Sequence, residues 1–310
     1  MTALICGSLA YDTVMVFPGR FRDRILADRI HMLNVSFLVP SMKRNFGGCA
    51  GNIAYNLRLL DGDGAPMATV GTDFGAYAEW LQNHGVRRDH VLTIEGEYTA
   101  QAFITTDLEA NQINAFHPGA MNHSHHNRVP ETAGITLGVI APDGHEGMLQ
   151  HSAQFAAAGI PVLFDPGQQL PMFDGTQLLD FVRRSRWVAM NDYEGEMLRE
   201  RTGESLAALA RRVEALIITR GAEGSVILSG GREIAIPAAR ADAVVDPTGC
   251  GDAYRAGLVH GLMLGFDWET TGRIASLMGA IKIAHAGTQN HRFTVDEFGD
   301  RFRAAFGRQL

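Results

Sequence analysis

The chain has 310 residues, 46% of them hydrophobic, a net charge of −7 and three cysteines. That is enough apolar material for a large α/β core, and an acidic balance without an extended basic run excludes nucleic acid as the default partner. Cys6, Cys49 and Cys250 are too scattered for a disulfide framework or a metal-ligand spacing, and no apolar run is long enough to span a membrane, so a cytoplasmic location away from membranes is expected.

Residues 3–8 (ALICGS) read as a buried strand rather than a leader peptide. Asp12 lies just past it, either as a ligand group at a strand end or as a loop carboxylate capping a turn. Residues 13–40 carry Arg20, Arg22, Arg24 and Arg29 among apolar residues, then the segment from His31 to Pro40; partly exposed strands are expected. Phe46-Gly47-Gly48-Cys49-Ala50-Gly51-Asn52 leads into a helix marked by Ile53, Ala54, Leu57 and Leu60. Gly47 and Gly48 would let backbone approach a ligand, and Asn52 would offer a donor and an acceptor to vicinal hydroxyls; close helix–strand packing is the alternative. Residues 67–75 give a strand, followed by a helix that stops at Gly85.

Residues 98–107 and 111–117 look like two strands joined around Glu109-Ala110-Asn111. On the second, Gln112, Asn114 and Phe116 share one face, suited to a planar base or simply to solvent. With residues 13–40 this hairpin suggests a small β lid. The cluster His117, His123, His125 and His126 lacks a metal-binding spacing and reads as a solvated loop. From residue 136 strands and helices alternate. Strands fall at 136–142, 160–167, 187–190 and 215–225, with a hairpin around Gly230-Gly231. Helices fall at 144–158, 174–185, within 192–212, from 251, at 268–285 and at 294–307. Such alternation predicts a mainly parallel sheet with helices on both faces, whose ligand crevice lies at the carboxyl ends of the strands. Asp12, Asn191, Thr219 to Gly224 and the turn at Gly249 all follow predicted strands.

That last turn, Asp246-Pro247-Thr248-Gly249-Cys250-Gly251-Asp252, feeds a helix with one apolar face. The amides of Gly249, Cys250 and Gly251 would lie at a helix N-terminus, where the dipole favours negative charge, and Asp252 would sit beside them. Amides can hold the charge of a transferring phosphoryl group, and a carboxylate can accept the proton of an attacking hydroxyl. Taken alone, a short Gly-x-Gly-Asp is more often an ordinary helix cap.

The four stretches GSLAYD, GGCAGN (47–52), NDYE (191–194) and DPTGCGDAYRAG (246–257), with TRGAEG (219–224), occur in an order that resembles the ribokinase-like (PfkB) sugar and nucleoside kinases over nearly the whole chain. The resemblance implies one three-layer α/β/α kinase domain over 1–310, with an eight- or nine-stranded sheet and lid strands inserted at about 13–40 and 98–117. It implies Asp252 as base and Gly249, Cys250 and Gly251 as anion hole, with Asp12, Gly47, Gly48 and Asn52 on the acceptor. It implies Asn191, Thr219, Gly221 and Gly224 on ATP, with Glu194 near Mg²⁺ through water. A monovalent cation such as K⁺ would sit behind the anion hole, on Asp246 and Thr248 and carbonyls around 283–290. Cys49 stands where ribokinases carry a lysine, and this stretch, with Ala10-Tyr11-Asp12, is more similar to bacterial and archaeal nucleoside (adenosine) kinases. The expected reaction is ATP-dependent phosphorylation of a purine nucleoside 5′-hydroxyl; a kinase of ribose, fructose or a related sugar is the alternative. A nucleoside or ATP sensor and a dinucleotide oxidoreductase are weaker rivals, since the base and glycines are present and no G-x-G-x-x-G follows the first strand. A homodimer formed through the lid is a further expectation.

Overall fold

Period-two alternation sorts the apolar residues of each strand onto two faces, and helices cover both. The structure, a computed structural model, describes residues 1–25, 34–109, 111–130 and 134–310. In β1 (Thr2–Cys6), Ala3 and Ile5 face one helical layer and Leu4 and Cys6 the other. All four are essentially sealed from water, and burial of a Leu or Ile contributes about 1.5–3 kcal/mol each.

The main sheet has nine strands. β1 pairs in parallel with β4 (Asp63–Val70) on one side and β8 (Ile135–Ile140) on the other, and β4 carries β5 (His90–Thr93) at the edge. Beyond β8 follow β9 (Val162–Phe164), β10 (Trp187–Asn191) and β11 (Ala215–Thr219), all parallel. Antiparallel β12 (Ser225–Ser229) and β13 (Arg232–Ile236) complete the sheet. One face packs against α1 (Cys49–Leu59), α2 (Gly75–Asn83), α7 (Cys250–Leu264) and α8 (Trp268–Ile283), with α9 (Val295–Phe306) behind α8. The other packs against α3 (His145–Ala158), α4 (Gly175–Arg184), α5 (Asp192–Thr202) and α6 (Leu206–Ala210).

A second, four-stranded sheet has the order β3 (Ser41–Gly47), β2 (Ala10–Val16), β6 (Ala100–Thr106), β7 (Gln112–His117). The early lid strands thus flank, rather than fill, residues 13–40. β2 starts at Ala10, so Asp12 is inside a strand and not in a loop. A single 3-10 turn, Phe21–Asp23, stands between β2 and β3 among the described residues, while 26–33, including Arg29 and His31, lie outside them. Ala110 of the expected 109–111 turn also lies outside them. The histidine run is not a solvated loop: residues Gly119–His126 form a 3-10 segment packed on α3, with His123 against Glu97 and His125 against Glu146. β5 has no counterpart in the sequence reading. Among the described residues no helix is long and apolar enough to cross a membrane.

Candidate active site

Asn191 and Thr219 end adjacent parallel strands side by side at the carboxyl edge of the sheet, and Asp165 directly follows the neighbouring strand β9. Above that edge opens a cavity of about 1220 Å³. The N-termini of α1, α5 and α7 meet it, so three sets of first-turn amides bias it towards anions. The lid adds Asp12, Ala102 and Phe116 to its wall. Of the residues singled out from the sequence, Asp12, Gly48, Asn52, Asn191, Glu194, Thr219, Gly221, Gly224, Thr248, Gly249, Cys250, Gly251 and Asp252 line it. Gly47, Asp246, Gln112 and Asn114 do not.

The α7 turn depends on Gly249, at φ 78°, where a Cβ would come within 2.9 Å of Thr288 Cγ2. The three expected amides are not equivalent. The Cys250 N–H donates to Pro247 O at 3.1 Å, closing the turn, whereas those of Gly249 and Gly251 have no backbone partner among the described residues. Gly48 caps α1 at φ 86°, and next to it Gly47 makes room for Asp12, whose Oδ2 would lie 2.5 Å from a Cβ there. Packing thus explains Gly47; it keeps a carboxylate, not a ligand, close.

Asp252 is held by Asn52, whose Nδ2 donates to its Oδ2 at 2.8 Å across the α1–α7 contact. Asn52 is itself fixed: its Oδ1 accepts from Gln289 Nε2 at 3.0 Å. The same nitrogen donates to Tyr77 Oη at 2.6 Å, Trp80 Nε1 donates to Gln289 Oε1 at 3.0 Å, and Tyr77 donates to Gly47 O. This buried chain orients the amide of Asn52. Each end of the Asn52 amide thus has one partner inside the protein, which leaves one N–H and one carbonyl lone pair for a ligand. Burial lifts the Asp252 pKa to about 7, with Asp165 adding to the rise and Asn52 and Arg255 opposing it. Burial, then the charge of Asp246, lifts Asp12 to about 6. The Cys49 thiol, raised by burial and by facing Asp252, stays neutral, and burial pushes Cys250 up to about 11.

Asp165 and Arg255 were missed in the sequence. Arg255, one turn beyond Asp252, is buried with Nη2 3.0 Å from Asp165 Oδ1 and 3.9 Å from Glu194 Oε2. The strand-ending Asp165-Pro166-Gly167 was the available signal, since it repeats the placement of Asn191 and Thr219. Asn191 and Glu194 form a capping box on α5: Asn191 Oδ1 accepts from Glu194 N, and Glu194 Oε2 from Asn191 N, both at 2.8 Å. Burial and the nearby Asp165 raise the Glu194 pKa.

No three His, Cys, Asp or Glu side chains converge on a metal position among the described residues. Mg²⁺ needs no such cage, because it binds through one or two carboxylates together with substrate phosphates and water. Glu194 and Asp165, hard oxygen donors on the cavity wall, fit that requirement. The monovalent cation does not fit. The Lys282 ammonium, fully buried, donates to Asp246 O at 2.7 Å and His285 O at 3.2 Å and lies 3.9 Å from Asp246 Oδ2. A second cation on the same carbonyls would be repelled by about 4 kcal/mol at a separation of about 4 Å and an effective dielectric of about 20. Burial works against the Asp246 carboxylate, but N–H groups of Gly287 and Thr248 and the charge of Lys282 hold its pKa below the usual range.

Residues 10–294 match the pfkB family carbohydrate kinase model. The chain is 33% identical over 270 residues to a nucleoside kinase of Methanocaldococcus jannaschii, covering 86% of this chain and 89% of that one. Its structure is similar to that of a Burkholderia thailandensis nucleoside kinase in complex with inosine, with TM-score 0.90, 51% identity and 99% of both chains covered. The ADP-inosine complex of that kinase gives TM-score 0.88, 52% identity and coverage of 99% and 97%.

Proposed function

The chain belongs to the pfkB family of carbohydrate kinases and is a phosphotransferase acting on a hydroxyl acceptor, and on that premise we propose that it transfers the γ-phosphoryl group of ATP to the 5′-hydroxyl of a purine nucleoside. The observation that carries this reading is the meeting of Asp252 with the Gly249–Gly251 turn on a cavity that Asp12 and Phe116 also line. The inosine bound by the Burkholderia relative supports a nucleoside over a free sugar.

In this reading Asp12 accepts from the 2′- and 3′-hydroxyls, the remaining Asn52 N–H donates to one of them, and Phe116 offers a ring face to the base. Asp252, poised near 7, takes the 5′-hydroxyl proton as the oxygen attacks phosphorus. The Gly249 and Gly251 amides meet the charge on the transferring oxygens; the Cys250 amide contributes by closing the turn that aims them. Thr219, Gly221 and Gly224, at the end of β11, and the Asn191 cap of α5 border the ATP side. Glu194 and Asp165 would hold Mg²⁺, which when bound neutralises phosphate charge. Arg255 offsets part of the repulsion between the acidic groups around Asp252. The lid's outer face, opposite Asp12 by the pleat, exposes Met42, Phe103 and Ile113, which supports pairing of two copies through the lid.

The deciding experiment is an acceptor panel of inosine, adenosine, guanosine, ribose and fructose, with transfer of labelled phosphate followed directly. Nucleosides should be preferred by kcat/KM. Faster phosphorylation of either free sugar than of every nucleoside would reject the reading.

A further inference from the structure

Lys282 is a cation in an unusual place. It sits one residue before the end of α8, is fully buried, and points away from the cavity into the back of the 246–250 turn. Its ammonium takes the carbonyl of Asp246, the first residue of that turn, and the carbonyl of His285, while the Asp246 carboxylate balances its charge. The backbone is drawn in around it. Val245 and Asp246 N–H groups both donate to Ile283 O, and Gly287 and Thr248 N–H groups hold the two Asp246 carboxylate oxygens. Removing the lysine from this setting leaves carbonyl oxygens aimed at nothing, an arrangement that water-sealed protein does not tolerate.

We propose that the Lys282 ammonium is a built-in replacement for the monovalent cation behind the anion-binding turn, so that phosphoryl transfer by this chain is independent of K⁺. Charge and coordination that a dissociable ion would supply come instead from the α8 side chain. Lys282 is a positioning residue: it touches no substrate and acts through the Asp246–Gly251 turn, whose amides it fixes and whose local potential it keeps positive. The inference goes beyond the choice of acceptor and holds for any alcohol the enzyme phosphorylates.

The test compares the full-length protein in choline, Na⁺ and K⁺ chloride at fixed ionic strength. The wild type should show the same kcat in all three, and K⁺ should not shift its melting temperature beyond the other salts. In choline, Lys282→Ala should lose about 10²-fold or more in kcat, the scale of a damaged anion hole. K⁺ or NH₄⁺ should restore much of that loss and raise the melting temperature of the variant. Lys282→Met, which fills the volume without charge, should lose activity without rescue. A wild type that K⁺ activates severalfold over choline overturns the proposal whether or not the variants fold. So does a Lys282→Ala protein that folds and works equally well in every salt. The melting readout needs no acceptor, so a wrong assignment of the nucleoside leaves it intact.

Discussion

At the residue scale, the buried carboxyl of Asp252 costs stability, a cost that its proposed role as base would explain. In the fold its carboxyl holds a proton up to about pH 7, whereas in the unfolded chain it ionises near the ordinary 3.8. Between those values the unfolded state binds fewer protons, so native stability falls as pH rises through that window and stays reduced above it. Asp252→Asn removes the cost. The variant should therefore be more stable than wild type near pH 8, on the order of 2–4 kcal/mol, with the gain shrinking towards zero near pH 4. Its turnover should drop about 10²–10⁴-fold while ATP still binds. Thermal melts across pH, with kcat and nucleotide titrations at pH 8, check all three; near-normal turnover would remove Asp252 as the base. Residue types and spacing in the 246–252 turn were readable because the turn is local. Lys282 was not readable: nothing in IKIAH marks its ammonium as internal, and it becomes so only when the 245–248 segment folds over the end of α8.

At the element scale, the α7 turn is where backbone shape and the proposed function coincide. Gly249→Ala forces a side chain into a left-handed conformation and against Thr288, costing about 1–2 kcal/mol before any steric term, and it should tilt the Gly249 and Gly251 amides and lower kcat. Gly299→Ala, in the ordinary helical interior of α9 with open space around the new carbon, should instead stabilise by about 0.5–1 kcal/mol and leave kcat unchanged. Opposite signs in melting temperature are the expected outcome, and equal shifts would contradict the geometry. The strongly periodic helices and the strands of the second half were legible because period and turn residues agree there. β5 was not, since four residues at a sheet edge, half of them exposed, carry no alternation. Of the two readings left open for Asp12, the loop carboxylate failed because β2 pairs with strands far along the chain, which a local pattern does not report. The NDYE stretch shows a motif with two uses at once, a helix cap that also faces the cavity.

At the scale of the whole molecule, the proposed pairing through the lid can be checked directly. Wild-type protein should sediment as a dimer, and Phe103→Glu, which places a charge on the outer face, should sediment as a monomer while its far-ultraviolet circular dichroism is unchanged. A wild type that stays monomeric at micromolar concentration would assign those exposed apolar side chains to another use. The sheet order could be anticipated in outline from the alternation of strands and helices, and the resemblance already put residues 12, 52 and 252 in one site, but not the addition of Asp165 and Thr288 to the same cavity, which only the assembled topology brings about.

The hydrogen bond from Gln289 to Asn52, and that from Asn52 to Asp252, tie late chain to early chain across 237 and 200 positions. A polypeptide still leaving the ribosome can therefore have every strand of its sheet, the last ending at Ile236, before Gln289 emerges to orient Asn52. Premature termination before that segment would remove the Gln289 clamp together with Phe293, Phe298 and Phe302, so a truncated product is expected to lose part of its core as well as the orientation of Asn52.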